Sequence, residues 1–308
     1  MGLGAFISAG RSLDSALGRV ARAEEQGYDT VYVTHIASRD SITLLTAYAS
    51  RTERVRLGTG VIPIYARTPA NMAQSFATLD DISGGRAVVG LGVSHKPVVE
   101  HWFGQSIDKP LAEMREYVAI VRAILRGEDP PPGEKWRTAF HLNGFDPRPD
   151  MPIYLAGLSP GMLRLAGEIA EGVILWLCNP NYVRDVVVPT VREGQGKGGR
   201  AGQPFDIVAA VPSAVTDDPD AARERLRGEL VPYFGLPYYR KMLGRSGFDP
   251  DAGPTDEFIS VLAAIGSADE ARESVRRYAE MGTTSPCVGG ISGTDFDATL
   301  EALAHSLD

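Results

Sequence analysis

Two of the five histidines, His35 and His95, follow directly on apolar runs of strand length, Thr30-Val31-Tyr32-Val33 and Ala87 to Val93. The other three, His101, His141 and His305, fall in connecting segments or in the last helix. An imidazole at a strand end suits proton transfer or polarisation of a substrate, because its charge changes near neutral pH. A single strand-end histidine serves structure as readily as chemistry; two of them raise the functional share. No HxH or HExxH spacing gathers ligands for a metal, and no GxSxG elbow offers an activated serine. Cys178 and Cys287 lie too far apart for a CxxC site and read as small core residues.

A second candidate lies in Pro152 to Gly172. The apolar run Ile153 to Ala156 stops at Gly157, Ser159 is placed as an N-cap, and Pro160 takes the first helical position. Met162, Leu165, Ala166 and Ile169 then share one helical face. The amides of Gly161, Met162 and Leu163, with the positive end of the helix dipole behind them, can hold a phosphate. An ordinary strand-to-helix connection would use the same cap and glycine.

Glycines recur at three strand ends: Gly58 and Gly60, Gly90 and Gly92, and Gly157. Bare backbone there leaves a flat space, and a planar ring fits it. From the residues alone, the site is one that binds a phosphorylated planar cofactor.

These groups need a scaffold that brings strand ends to one place. Apolar runs at Gly4 to Ser8, Thr30 to His35, Val55 to Pro63, Ala87 to Val93, Ile153 to Ala156, Gly172 to Leu177, Ile207 to Val215 and Cys287 to Ile291 read as strands. Helical patterns separate them, opened at Ser12, Thr68-Pro69, Asp218-Pro219 and by the capping box of Ser267 with Glu270. Arg39 and Asp40 read as caps of the helix from Ile42 to Ala49. Eight strands alternating with helices predict one α/β domain over residues 1–308, a parallel (βα)8 TIM barrel with inserted loops. Residues 127–151 are Pro- and Gly-rich and read as an insertion with a short hairpin from Trp136 to Leu142; residues 231–255 read as irregular. Gly194 to Arg200 reads as a mobile surface loop. A doubly wound sheet would carry its dinucleotide fingerprint after the first strand, where Gly10-Arg11-Ser12 does not supply it. In a barrel the chemistry gathers at the carboxyl ends of the strands, so Ser8, His35, Thr59 to Pro63, Gly92 to His95 and Gly157 to Gly161 should share one mouth.

The formal net charge of −8 argues against a nucleic-acid surface. No apolar stretch has the length to cross a bilayer, and Met1 to Phe6 lacks a basic leader, so a cytoplasmic protein without membrane partners is expected.

Val31-Tyr32-Val33-Thr34-His35, Leu57 to Ala70, Gly85 to Gly92 and Ala156 to Gly172 together resemble the luciferase-like family of flavin and deazaflavin oxidoreductases, in the branch that uses coenzyme F420. The resemblance implies a bulged third strand with a non-prolyl cis peptide at Gly60-Val61, on which the cofactor ring leans. It implies ring and phosphate contacts from Thr34, Thr59, Gly60, Val61, Gly92, Ser94, Gly157, Leu158, Ser159, Gly161 and Met162. His35 matches a histidine near the reactive carbon, and His95 stands where sugar-phosphate dehydrogenases of the branch carry Glu. Many relatives have Asp where this chain has Thr34, which removes one cofactor contact. The implied activity is hydride exchange between F420 and a small-molecule substrate, with His35 and His95 as catalytic residues. The alternatives are a monooxygenase using reduced FMN, or a barrel that binds flavin without turnover. A cationic groove from Arg67, Lys96 and Lys109 would suit the acidic tail of F420. A homodimer is implied in the same way.

Overall fold

A computed structural model describes residues 2–8 and 10–308; Met1 and Ala9 lie outside the described residues. Its strands are β1 (Gly4–Phe6), β2 (Thr30–Val33), β3 (Arg56–Thr59), β4 (Ile62–Pro63), β5 (Ala87–Gly92), β6 (Ile153–Ala156), β7 (Gly172–Leu175), β8 (Asp206–Val215), β9 (Ala264–Gly266) and β10 (Ser285–Gly290). All pairings are parallel. They run β1, β2, β3, β5, β6, β7, β8 and β10, and β10 closes on β1. The chain is thus an eight-stranded (βα)8 barrel.

Alternation along the strands divides the core into two layers. Val31, Leu57, Val89, Ile153, Leu155, Val173 and Ala209 belong to the layer shared with the helices. Tyr32, Val88, Tyr154, Ile174, Val208 and Cys287 form the barrel's inner filling, with Phe6 and Val61 packed on it. Gly58 faces Tyr32 in register, and a Cβ there would sit 2.6 Å from the Tyr32 ring. A large ring in a narrow barrel therefore requires glycine opposite. At the amino end, Arg56 donates to Tyr154 Oη (3.2 Å), to Asp206 (3.3 Å) and to the Thr30 hydroxyl (3.0 Å). Tyr154 also donates to Asp206, which accepts from Thr284 as well (3.3 Å).

The helices are α1 (Leu13–Glu25), α2 (Ser41–Ala49), α3 (Pro69–Ser83), α4 (Lys96–Trp102), α5 (Pro110–Leu125), α6 (Pro160–Ile169), α7 (Pro180–Tyr182), α8 (Val188–Lys197), α9 (Pro219–Phe234), α10 (Pro237–Arg245), α11 (Asp256–Leu262), α12 (Ala268–Glu280) and α13 (Phe296–Leu303). A π-helical turn at Val183–Val187 joins α7 to α8. No described helix is long and apolar enough to cross a membrane.

Three expectations are corrected. Residues 136–142 contain no strand; that stretch of the insertion is held instead by side chains. Glu116 accepts from the amides of Glu134 (2.8 Å), Lys135 (3.0 Å) and Trp136, and Arg148 donates to Asp80 (2.8 and 3.0 Å). Gly194 to Lys197 is the end of α8 and not a loop. A Cβ on Gly194 would collide with the Arg164 carbonyl, and one on Gly167 with the Val191 carbonyl, so these glycines let α6 and α8 touch backbone to backbone. Residues 231–255 are largely helical: α9 continues through Pro232, and α10 follows at once. Three further elements had no counterpart in the sequence reading: α4, α11 and the short β9, which extends the sheet beside β8.

Candidate active site at the carboxyl mouth

Strand β3 breaks after Thr59 and resumes as β4, and the Gly60-Val61 peptide between them is cis. Thr59 itself is fully buried. Its hydroxyl donates to the Gly90 carbonyl (2.8 Å) and accepts from the Gly90 amide (3.0 Å), replacing the ladder where the strand is interrupted. Its one donor is spent on Gly90, and its side chain is part of the buried wall.

The glycines do not leave the flat vacancy that the sequence suggested. A Cβ on Gly60 would strike the Phe6 ring, one on Gly92 would lie 2.7 Å from Val61 Cγ2, and one on Gly157 2.9 Å from Leu163 and Val173. Neighbouring side chains take up that room. Phe6 and Val61, both half-buried, form an apolar floor where the strands end, with Phe6 stacked on Tyr32 (centroids 5.5 Å apart). Half-buried Gly60 and exposed Thr34 stand at the same end. Gly92 and Gly157 are buried.

His35 follows β2 and is fixed by the start of α2. Its Nδ1 lies 3.0 Å from Ser41 Oγ and accepts from the Ser41 amide at 3.4 Å. Asp40 caps α2 by accepting from Thr43 N (2.9 Å) and also pairs with Arg67, while its Oδ2 stands 3.8 Å from His35 Nδ1. Burial, assisted by Arg67 and opposed by Asp40, lowers the His35 pKa below its ordinary value. Ser41 and Arg67 were not recognised as partners of this histidine; the Asp40–Thr43 cap spacing was the available signal.

His95 follows the half-buried Ser94, whose φ of 58° turns the chain sharply at the end of β5. Among the described residues its ring has no hydrogen-bond partner. It packs on Tyr239 of α10 (5.5 Å), which meets Tyr233 (5.0 Å), which meets Trp176 beyond β7 (5.9 Å). Burial lowers its pKa as well. The aromatic wall comes from a segment read as irregular, so its role was invisible in the sequence.

At α6, Ser159 Oγ accepts from Met162 N (3.4 Å) and the Ser159 carbonyl from Leu163 N (2.9 Å). Two of the three amides assigned to a phosphate are thus used inside the cap. Those of Leu158, Ser159 and Gly161 have no acceptor among the described residues. Tyr182 Oη donates to the Leu158 carbonyl (2.7 Å) and steadies the loop. Met162 is buried; Leu158, Ser159 and Gly161 are half-buried. A groove of about 1050 Å³ runs from Gly161 past Lys109, Lys135 and Arg164. Its cations are paired: Lys109 with Glu134 (3.2 Å), Lys135 with Glu113 (3.2 Å) and Arg164 with Glu193 (2.7 Å). Arg67 and Lys96 are likewise paired, with Asp40 and Glu100.

The profile of the luciferase-like monooxygenase family matches residues 1–285. The chain belongs to this family. It is 34% identical over 304 residues to a provisionally named coenzyme F420-dependent oxidoreductase of Mycobacterium tuberculosis, covering 86% of this chain and 87% of that one. It is 30% identical over 312 residues to the 5,10-methylenetetrahydromethanopterin reductase of Archaeoglobus fulgidus, covering 94% and 93%. Its fold matches an F420-dependent secondary alcohol dehydrogenase solved with an F420–acetone adduct at a TM-score of 0.83, with 23% identity and coverage of 99% and 98%. The family thus includes F420-dependent oxidoreductases, and chains of the same fold include FMN-bound monooxygenases.

Proposed function

We propose that this member of the luciferase-like family transfers hydride between coenzyme F420 and a small organic substrate at the carboxyl mouth of the barrel. What supports the reading is the presence of two complementary surfaces at the carboxyl ends of the strands. Phe6 and Val61 offer an apolar floor of the kind a flat ring covers, and the free amides of Leu158, Ser159 and Gly161 at the positive end of α6 attract an anionic group. A ring carrying a phosphate matches both. When bound, F420 supplies or removes hydride at its ring carbon. The protein's part is to seat the ring on Val61, hold the phosphate with main-chain donors and keep the substrate between His35 and His95, one of which carries a proton.

Fluorescence titration of the purified protein with F420 and with FMN tests this. Saturable, tighter binding of F420 is expected. Binding of FMN with none of F420 would replace the reading by a flavin monooxygenase; F420 bound without turnover across a panel of carbonyl and alcohol substrates would replace it by a non-catalytic barrel.

A further inference from the structure

We infer that His35 works as a neutral imidazole with its proton on Nε2, a hydrogen-bond donor to an oxygen atom of the bound molecule, and that Ser41 is the positioning residue that fixes this tautomer. A main-chain N–H can only donate. The Ser41 amide is directed at His35 Nδ1, so that nitrogen must present its lone pair, and the Ser41 hydroxyl at 3.0 Å then donates to the same atom. In a neutral ring the single proton is left on Nε2. That nitrogen is the one free for a ligand.

The surroundings decide between the neutral ring and imidazolium. The Ser41 amide is the first of α2, one of the orphan donors at the positive end of a helix, and an Nδ1–H would face it donor to donor. Asp40 alone favours the cation, but its carboxylate is already engaged by Thr43 and Arg67. Ser41 is fully buried and cannot turn to water. A helix amino end acting on a neutral histidine electrophile is the arrangement known from triosephosphate isomerase.

The consequence concerns how His35 acts. A neutral imidazole bonded at Nδ1 neither accepts a proton at Nε2 nor gives one up readily. It keeps its proton, and its hydrogen bond strengthens as negative charge grows on the ligand oxygen. Proton carriage then falls to His95, whose ring packs on Tyr239 and makes no hydrogen bond among the described residues. This assignment of roles rests on the hydride-transfer reading; the tautomer does not.

The test is long-range ¹H–¹⁵N correlation of ¹⁵N-histidine-labelled protein without cofactor, with His35 identified by the signal lost in His35→Gln. Expected are an unprotonated Nδ1 and a protonated Nε2 at neutral pH. Ser41→Pro, which removes the amide at a first helical position that tolerates proline, should, with an unchanged circular dichroism spectrum, shift both nitrogens toward the averaged values of a tautomer mixture, whereas Ser41→Ala keeps the amide and should leave Nδ1 unprotonated. A protonated Nδ1 in the wild type, or a Ser41→Pro spectrum with His35 unmoved, overturns the inference. Failure of F420 to bind would sink the hydride-transfer reading and leave the tautomer intact, whereas a protonated Nδ1 with F420 bound does the reverse.

Discussion

One hydroxyl, that of Thr59, satisfies both the amide and the carbonyl of Gly90, at 3.0 and 2.8 Å, across the gap where β3 gives way to β4. A side chain does there what a neighbouring strand does elsewhere. Thr59→Val keeps the shape and removes both bonds, leaving two buried main-chain groups unpaired. A loss of about 2–4 kcal/mol is expected in urea unfolding. Thr59→Ser keeps the hydroxyl and should cost about 1 kcal/mol for the missing methyl. Equal losses for the two variants would show that the hydroxyl contributes nothing.

Gly194 and Gly196 stand two residues apart on α8 in opposite situations. Gly194→Ala forces a methyl against the Arg164 carbonyl in the α6 contact, and overpacking against backbone should cost about 1–3 kcal/mol or more. Gly196→Ala meets open space on an exposed helical position and should stabilise by about 0.5–1 kcal/mol. Thermal unfolding of the pair checks the sign of each. Two shifts in the same direction would contradict the packing described.

Both mouth histidines have pKa values lowered by burial from an ordinary 6.5. Near and below that value the unfolded chain binds the protons that the folded chain resists, so stability should fall as pH drops through 6.5 and below. Asp40 opposes the effect at His35 and Arg67 adds to it. Denaturant midpoints recorded from about pH 8 down to about pH 5 should decline, and less steeply in His35→Gln. An unchanged slope in that variant would show that His35 is not a source of the decline.

His95 leans on Tyr239 without any hydrogen bond among the described residues. Tyr239→Leu should leave the fold in place and weaken F420 or substrate binding by about threefold to tenfold, the range of an aromatic contact of about 0.5–1.5 kcal/mol. Titration of wild type and variant side by side measures it, and identical affinities would remove α10 from the mouth's recognition surface.

A homodimer is expected by family resemblance. Sedimentation velocity across a concentration series would reveal it, and a single monomer boundary throughout would exclude it.

The barrel was legible in the sequence because strand runs such as Val31 to Val33 and Ile153 to Ala156 carry their own period and length. The cap at Ser159-Pro160 was legible for a local reason too, since its chemistry lies within four residues. Of the helices that escaped, α11 does have a polar cap, Thr255, and two others, α4 and α10, start without one. His95 before α4 and Leu236 before α10 make no side-chain cap bond, and Pro237, which opens α10, stands in the stretch that reads as irregular. Glycines misled in the same way. Gly60 and Gly92 looked like vacancies and Gly194 like a loop, yet each is fixed by a partner distant in sequence: Phe6, Val61 and Arg164. Spacing along one chain carries no record of such partners. The support of His35 was half visible, the Asp40 cap being local and the Arg67 pairing not.

The polar clasp of Thr30, Arg56, Tyr154, Asp206 and Thr284 fastens β2, β3, β6 and β8 at the rim opposite the candidate chemistry. The staves of the cask are hooped at this end. Loops at the open end can be lengthened, shortened or exchanged without loosening that hoop, so a lineage can acquire new substrates by rewriting one rim while the other keeps the vessel closed.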